Sequence, residues 1–330
     1  MRLPITMRAL QQNSFDGPQD MRLVHDAPVP RPGAAEVLIR VRAAGVNFAD
    51  VSRSYGTFGG GPRPPYTAGF EAVGEVIERG SAVTDPGLGV LVAGIGNGAF
   101  AEYMTLPAAT AVPVPPGWTP EQALGLGVNW PAALAALRTL GRVSAGETVL
   151  IHAAAGATGQ AAVTLARHYG ARVIAVAAAS KHETVLALGA EHVVESGDAD
   201  LVARVRALTG GAGADLVLEC AGGDTFARSL AAARPVTGRV VVYGLAGGEA
   251  IVSNWELVYR NHIQLIGCNV GVLARSAPRL FGALKAELSE LIRAEVLTPV
   301  RPVAFDLADG PKALAGLAAR TTVGKLALLP

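Results

Sequence analysis

The sequence predicts an α/β protein in which a doubly wound, parallel-sheet domain is inserted into a β-rich domain. Three observations carry this prediction. Short alternating apolar runs, punctuated by Gly and Pro, fill residues 7–106. A strand, a glycine-containing turn, a helix and a second strand follow one another over residues 148–180, and strand-like and helix-like segments then alternate to residue 268. Alternating strands and helices build parallel sheets, whereas evenly spaced short strands build compact β domains.

Composition and charge exclude several classes of protein. The chain has 330 residues, of which 50% are hydrophobic, enough for two domains with buried cores. A net charge of +1 lacks the basic excess of nucleic-acid-binding proteins. Apolar runs stop short of membrane-spanning length, and the N-terminus shows no signal-peptide pattern. Cys220 and Cys268 lie in strand-like segments, so we expect free thiols in a reducing compartment. Together these observations predict a cytoplasmic protein without nucleic-acid or membrane partners.

The two ends of the chain share the β-rich pattern. Three alternating runs in the first part predict strands: Glu36–Arg42, Ala72–Glu78 and Val90–Gly94. Residues 107–120 are dense in proline and predict the connection that leaves this domain. A helix is predicted over residues 121–140, interrupted at Pro131. The tail, residues 298–329, returns to proline-bounded strands with a short helix near 312–319, and we expect it to rejoin the first part.

The central segment predicts one βαβ unit. Its strands are Val149–His152 and Arg172–Ala177, joined by a turn of small residues and a helix that ends near Tyr169. Further elements follow in alternation, with strands predicted at 192–194, 215–220, 239–243 and 263–268 and helices at 199–208, 224–233 and 275–294.

The glycine turn predicts an anion site at the start of a helix, where free N–H groups can hold a phosphate. Gly156 would let the backbone approach a pyrophosphate, and Gly159 would let the helix pack closely on its strand. Ala154 occupies the place of the first glycine in G-x-G-x-x-G. The turn alone therefore leaves an ordinary flexible turn open as an alternative.

The end of the second strand distinguishes between the two nicotinamide cofactors. NAD sites carry an acidic residue here, about 20 residues after the glycine turn, but this chain has no Asp or Glu before Glu183. Ser180 offers a hydroxyl and Lys181 a positive charge, which suit a 2′-phosphate. The residues therefore predict NADPH, with a solvated surface lysine as the alternative.

Several blocks together resemble one family: Arg42–Asp50, Pro65–Val76, Val128–Ala132, His152–Gly159, Gly238–Gly244 and Thr321–Pro330. They resemble the zinc-free NADPH:quinone oxidoreductases, the ζ-crystallin-like branch of the medium-chain dehydrogenase/reductase superfamily. The resemblance implies a GroES-like catalytic domain (1–122), a Rossmann NADPH-binding domain (123–272), and a helix and tail completing the catalytic domain (273–330). It also implies a homodimer through an edge strand at Gln264–Val270.

The resemblance assigns roles to individual residues. Asn47 matches an asparagine beside the nicotinamide, Lys181 a lysine on the 2′-phosphate, and Arg320 a C-terminal arginine that reaches the cofactor. Asn129 and Gly244 lie in segments that line the cofactor site, and Ser196 replaces a tyrosine that helps to bind the 2′-phosphate. The predicted cofactor residues are Asn47, Asn129, Ala155, Gly156, Ala157, Thr158, Gly159, Ser180, Lys181, Ser196, Gly244 and Arg320.

No metal site is predicted. Zinc-dependent relatives carry a Cys where this chain has Asn47 and a His where it has Phe70. A catalytic zinc needs about three protein ligands, and no cysteine precedes Cys220.

Without a metal to polarise a carbonyl, we expect acceptors that are already electrophilic, namely quinones and conjugated enones or enals. Hydrogen-bond donors would stabilise the developing anion. The predicted catalytic residues are therefore Asn47 and Tyr55, although Phe58 stands where many relatives have a tyrosine. Two alternatives stay open: an enoyl-thioester reductase of the same superfamily, and an NADPH-binding sensor or structural protein with little turnover.

Overall fold

A computed structural model describes residues 3–330, which form two compact units. The first comprises the described residues up to Val128 together with Thr298–Pro330, and the second comprises Asn129–Leu297. The predicted α/β class, with a parallel-sheet domain inserted into a β-rich one, is confirmed.

The first unit begins with eight strands and one helix: β1 (Thr6–Gln12), β2 (Met21–Pro28), β3 (Glu36–Val46), α1 (Phe48–Ser54), β4 (Tyr66–Thr67), β5 (Glu71–Arg79), β6 (Leu91–Ile95), β7 (Tyr103–Pro107) and β8 (Val112–Pro113). The helix α1 was not expected from the alternating pattern. Its N-cap, Asn47, forms a reciprocal capping box with Asp50, which starts a helix directly after the longest strand.

The second unit contains six strands and seven helices: α2 (Asn129–Leu134), β9 (Thr148–Ile151), α3 (Ala157–His168), β10 (Arg172–Ala177), α4 (His182–Ala187), β11 (His192–Glu195), α5 (Leu201–Leu208), β12 (Leu216–Glu219), α6 (Gly223–Ala232), β13 (Arg239–Val242), β14 (Gln264–Gly267), α7 (Val270–Ser276) and α8 (Pro278–Arg293). Its sheet is parallel, in the order β11-β10-β9-β12-β13-β14. Strand β9 is fully buried, as expected for a sheet covered on both faces.

The tail returns to the first unit as expected. It adds β15 (Val303–Asp306), α9 (Gly310–Ala318) and β16 (Leu326–Leu329). Strand β16 pairs antiparallel with β3, from Leu326 opposite Val46 to Leu328 opposite Ala44. This pairing places the C-terminal strand in the sheet order β15-β16-β3-β5-β6-β8, with β7 also on β3.

The helix predicted over 121–140 starts later than expected. Residues 121–128 form turns, and α2 begins at Asn129 with Pro131 in its first turn. Proline is tolerated there because a helix leaves its first N–H groups unpaired, so Pro131 does not interrupt the helix. A π-helical turn, Ala135–Thr139, continues it.

Two other predicted elements are shorter than expected. The helix predicted over 275–294 is two helices, because Ala277 precedes Pro278 and has a non-helical φ of −137°. The edge strand predicted at Gln264–Val270 ends at Gly267. Asn269 accepts a hydrogen bond from the N–H of Val272 and thereby starts α7 instead.

The position of α8 differs from the predicted division of the chain. The tail was expected to begin at residue 273, but the second unit extends to Leu297. Glu287 on α8 explains this difference, because it accepts a hydrogen bond of 2.7 Å from the Tyr169 hydroxyl and pairs with Arg138 at 3.4 Å. Among residues 3–330, no helix combines the length and apolar character needed to cross a membrane.

Candidate functional site

The glycine turn lies between β9 and α3, at the carboxyl end of the sheet. Ala153 adopts a φ of +48°, and the N–H of Gly156 bonds the carbonyl oxygen of Ala153 at 2.9 Å. Gly156 is the N-cap of α3, and no side chain caps this helix. The first N–H groups of α3 therefore point out of the helix, where an anion can accept them.

The two glycines of the turn have different neighbours. A Cβ built on Gly159 would lie 2.3 Å from the carbonyl oxygen of Ala153 and 2.6 Å from the Cα of Ala154. A Cβ on Gly156 would meet only the Ala153 oxygen, at 3.3 Å, among the described atoms. Gly159 is thus required by packing within the chain, whereas the space at Gly156 is open to a ligand. This open cradle fits a pyrophosphate.

Asn129 and Thr158, both predicted cofactor residues, are brought together by the fold. Asn129 is 5% exposed, and its Nδ2 donates to Thr158 Oγ1 at 2.9 Å. The contact joins the first turn of α2 to the first turn of α3. Ala155, Ala157 and Thr158 therefore form one rim with Asn129 at the N-terminus of α3.

Ser180, Lys181 and Ser196 lie at the ends of two neighbouring strands, β10 and β11. Ala177 pairs with Glu195, and the N–H of Ser196 bonds the Ala177 carbonyl at 2.9 Å. Ser180 and Lys181 lie in a short 3₁₀ turn after β10. Partial burial lowers the pKa of Lys181. The positive charge of Lys181 thus lies one strand away from β9, where it could neutralise a 2′-phosphate.

Gly244 follows β13 and lies against the end of β12. A Cβ built on it would be 2.9 Å from the Cys220 carbonyl oxygen. The predicted residues that follow β11, β10, β9 and β13 therefore share the carboxyl edge of one sheet. Ligands of doubly wound sheets bind at this edge.

Asn47, in the first unit, is held by a buried cluster. Its Nδ2 donates to Glu71 Oε2 at 2.7 Å and to the Gly45 carbonyl at 3.2 Å. Its Oδ1 accepts from Lys325 Nζ at 2.9 Å. Both ends of the Asn47 carboxamide are therefore fixed by the protein.

Lys325 and Glu71 form the ion pair at the centre of this cluster, with side chains 2% and 1% exposed. Glu71 Oε1 also accepts the N–H of Gly125 at 2.6 Å. A Cβ on Gly45 would lie 2.4 Å from Glu71 Oε2, so only glycine leaves room for the pair. Sequence reasoning missed both charged residues, although each lies in a block that resembles the family, Pro65–Val76 or Thr321–Pro330.

Asp50 lies next to this cluster and is fully buried. Its Oδ2 accepts the Asn47 N–H at 2.9 Å, while Oδ1 has no partner among residues 3–330. Burial raises its pKa to about 7, against the lowering effects of the Asn47 N–H and of Arg53. A carboxyl with a raised pKa stabilises the fold below its unfolded pKa, and this stability is lost as the pH rises through about 7.

Asp50→Asn should therefore change how stability depends on pH. Between pH 5 and pH 8 the unsubstituted chain should lose about 2–3 kcal/mol from this group, and the variant should not. Urea unfolding of both chains at the two pH values measures the difference. A pH-independent cost of the amide cancels in this comparison. If the unfolding free energies of the two chains differed by the same amount at pH 5 and at pH 8, the prediction would be contradicted.

Tyr55, Phe58 and Arg320 also belong to the first unit. Tyr55 ends α1, is 46% exposed, and its ring lies against Gly17. Phe58 lies 5.1 Å from the Arg53 guanidinium, which also covers Phe70 at 4.6 Å. Arg320 follows α9 with a φ of +58° and is exposed. The cofactor and catalytic roles of Tyr55 and Arg320 stay predictions.

Metal ligands were not expected from the sequence. Among residues 3–330, no three or more His, Cys, Asp or Glu side chains are grouped so that they could hold a metal ion. Phe70, at the position of the zinc-binding histidine, instead packs under Arg53.

Comparisons with known proteins agree with this architecture. Two families match the chain: alcohol dehydrogenase GroES-like domain over residues 33–116, and zinc-binding dehydrogenase over residues 157–286. Mycobacterial Rv1454c, solved with NADPH, is 33% identical; the match covers 98% of this chain and 100% of that one, with a TM-score of 0.92. A quinone oxidoreductase of Pseudomonas syringae pv. Tomato DC3000 is 30% identical, with 98% and 100% covered and a TM-score of 0.90.

More distant matches include an enoyl reductase. The CurK enoyl reductase is 27% identical, with 98% of this chain and 99% of that chain covered and a TM-score of 0.88. Five curated relatives are 33–38% identical to this chain but are longer proteins. The chain spans 8% of the length of one of them and 59–61% of the length of the other four. With both domains matched and two solved relatives at 30% identity or more over their whole length, the chain belongs to the quinone oxidoreductase-like branch of the medium-chain dehydrogenase/reductase superfamily.

Proposed function

We propose that the protein is an NADPH-dependent oxidoreductase that reduces quinones or other activated, conjugated carbonyls and alkenes without a metal. The observation that carries the proposal is the uncapped N-terminus of α3, open at Gly156, one strand away from the basic turn at Ser180 and Lys181. A pyrophosphate suits the first feature and a 2′-phosphate the second. Similarity to an NADPH-complexed relative and to a quinone oxidoreductase supports the same cofactor and acceptor class.

When bound, NADPH supplies the hydride. The turn after β9 would hold the pyrophosphate through the N–H groups of Ala157 and Thr158, and Asn129 would fix the Thr158 hydroxyl. Lys181 would neutralise the 2′-phosphate, with Ser180 and Ser196 as hydroxyl donors. Gly244 lets the loop after β13 pass close to the Cys220 backbone at this edge.

Asn47 is proposed to orient the nicotinamide ring. Its carboxamide cannot rotate freely because Lys325 and Glu71 hold it at both ends. A group fixed in advance positions its ligand without losing rotamer freedom on binding. Tyr55 is the proposed hydrogen-bond donor to the acceptor oxygen, and Arg320 the proposed second contact to the cofactor.

The acceptor class separates this proposal from its nearest alternative. Similarity to an enoyl reductase supports reduction of an enoyl thioester, which is also a conjugated alkene. NADPH oxidation should be measured with 1,4-benzoquinone, 9,10-phenanthrenequinone, a simple enone and crotonyl-CoA. Turnover of the quinones or the enone supports the main proposal, and turnover of crotonyl-CoA alone supports the alternative. Tight NADPH binding without reduction of any of these acceptors would leave a cofactor-binding protein.

Lys181→Ala should abolish the preference for NADPH. Loss of one charged contact to a phosphate weakens binding by about 10- to 100-fold, whereas NADH has no 2′-phosphate to lose. Fluorescence titration should show this increase in the Kd for NADPH, with the Kd for NADH nearly unchanged. Lys312→Ala, on α9, is the matched control for removal of a lysine. Equal weakening of both cofactors by Lys181→Ala would contradict the assigned role.

We further propose a cytoplasmic homodimer. Strand β14 lies at the end of its sheet and pairs only with β13 among residues 3–330. The preceding segment exposes Trp255 and Tyr259 by 64% and 72%. Exposed edge strands and apolar side chains favour pairing with a second copy. The two free cysteines are consistent with a reducing compartment.

Sedimentation velocity tests the proposed dimer directly. It should give twice the mass of the 33.7 kDa chain at micromolar concentration. A single species of 33.7 kDa at every concentration would contradict it.

A further inference from the structure

A buried chain of polar side chains joins the loops that leave β9 and β12. It consists of His152, Glu219 and Ser229, which are 2%, 0% and 0% exposed. His152 directly follows β9, Glu219 ends β12, and Ser229 lies on α6. No role has yet been assigned to any of the three.

The hydrogen bonds of the network converge on the carboxylate of Glu219. His152 Nε2 lies 3.0 Å from Ser229 Oγ, and the Ser229 hydroxyl also contacts Glu219 Oε2. Because a carboxylate only accepts, Ser229 donates to Glu219, and His152 Nε2–H donates to Ser229. Burial lowers the pKa of His152, which keeps the imidazole neutral and agrees with this assignment.

Glu219 carries the connection into the second loop. Its Oε1 accepts the N–H groups of Ala221 and Gly222 at 2.6 and 2.7 Å. Gly222 has a φ of +67°, and a Cβ there would lie 2.2 Å from the Gly248 carbonyl oxygen. At the His152 end of the network, Ala153 follows His152 with a φ of +48°, although it is not a glycine. Each loop thus holds a left-handed residue next to the network.

The place of the network in the sheet gives it a functional meaning. β9 and β12 are neighbours in the order β11-β10-β9-β12-β13-β14. Successive connections leave this pair in opposite directions, so the crevice for a dinucleotide opens between their carboxyl ends. The two loops that the network joins flank this crevice.

We propose that His152, Ser229 and Glu219 are positioning residues that set the spacing of the two loops between which the cofactor binds. The inference rests on the proposed NADPH function. The glycine turn is then held in its binding conformation before NADPH arrives, and the cofactor does not have to order it. The network acts through the loops and does not touch the reacting atoms.

Ser229→Ala removes the central link and leaves the contacts of Glu219 to the second loop intact. In the NADPH-free chain, amide hydrogen exchange should become at least about 5-fold faster at Ala153–Gly156, although these residues follow β9 and Ser229 lies on α6. The Kd for NADPH should rise by about 5- to 10-fold, the effect of about one hydrogen bond. The value of kcat at saturating NADPH should stay within about 2-fold, because no reacting group is lost.

Two further variants separate positioning from general stability. His152→Gln keeps an N–H donor near the position of Nε2, so its exchange rates and its Kd should lie within about 2-fold of those of the original chain. His152→Leu has no such donor and should reproduce the effects of Ser229→Ala. Thr209→Ala is the control, because the Thr209 hydroxyl also holds a turn, by accepting the Gly213 N–H at 2.8 Å, but this partly exposed turn lies away from the crevice. It should lower the melting temperature without changing the Kd.

Unchanged exchange at Ala153–Gly156 in Ser229→Ala would overturn the inference, as would an unchanged Kd. If the unsubstituted chain does not bind NADPH, the proposed function fails, and so does the positioning of a cofactor. The exchange data, which need no ligand, would in that case still show whether the two loops are coupled.

Discussion

Gly159→Ala is expected to destabilise the protein by about 3 kcal/mol or more, whereas Gly156→Ala should leave its stability within about 1 kcal/mol. The difference follows from the backbone around each glycine. A methyl group at Gly159 would overlap the Ala153 carbonyl oxygen at 2.3 Å and the Ala154 Cα at 2.6 Å, and neither backbone atom can move independently of β9. The gain in helix propensity, about 1 kcal/mol, is too small to compensate.

Gly156→Ala should instead abolish tight cofactor binding. Its φ of −80° is normal for alanine, and its only neighbour within 4 Å among the described atoms is the Ala153 oxygen at 3.3 Å. The methyl group would occupy the space through which a pyrophosphate approaches the N–H groups of α3. We expect the Kd for NADPH to rise by at least about 100-fold, or about 2.7 kcal/mol.

Urea unfolding and NADPH titration of both variants test the pair. Gly282→Ala is the control for a helical glycine, because a Cβ there meets nothing within 4 Å and should stabilise α8 by up to about 1 kcal/mol. A Gly156→Ala chain that binds NADPH normally would remove the anion site from this turn. A Gly159→Ala chain as stable as the original would show that α3 can shift on its strand.

The sequence predicted those parts of the fold and of the candidate site that depend on local spacing. The strand β10 was expected at Arg172–Ala177 and is found there. The turn at Gly156 and the basic residues after β10 were recognised because each lies within a few residues of its strand. Proline and side-chain caps changed the boundaries elsewhere. Pro278 divides one predicted helix into two, and the Asn269 cap starts α7 where a strand was expected to continue.

The buried charge cluster could not be predicted in the same way. Lys325 and Glu71 are 254 positions apart, and only the pairing of β16 with β3 brings the tail beside Gly45. No periodicity in either segment reports a partner at that distance. The same reason hides the network of His152, Glu219 and Ser229, whose members lie after β9, at the end of β12 and on α6. Local patterns therefore located the loops of the candidate site but missed the polar groups that hold them.

Lys325→Met is expected to destabilise the first unit by about 3–5 kcal/mol at pH 8. The substitution keeps most of the side-chain volume but leaves the Glu71 carboxylate, 1% exposed, without its cation. Glu71 would still accept from Asn47 Nδ2 and from the Gly125 N–H, which do not replace a full positive charge.

The second expected effect is on turnover, because Asn47 Oδ1 loses the donor at 2.9 Å that fixes its carboxamide. We expect NADPH-dependent turnover to fall by about 10-fold under conditions in which the variant is fully folded. Glu71→Gln combined with Lys325→Met makes the pair neutral and should recover about 2 kcal/mol of the stability. Because the double variant still lacks the ammonium group that holds Asn47, it should recover stability without recovering turnover. Lys312→Met, on the partly exposed α9, is the matched control and should change neither quantity. Recovery of both properties in the double variant would show that Lys325 serves stability alone, whereas recovery of stability alone would assign the orientation of Asn47 to its ammonium group.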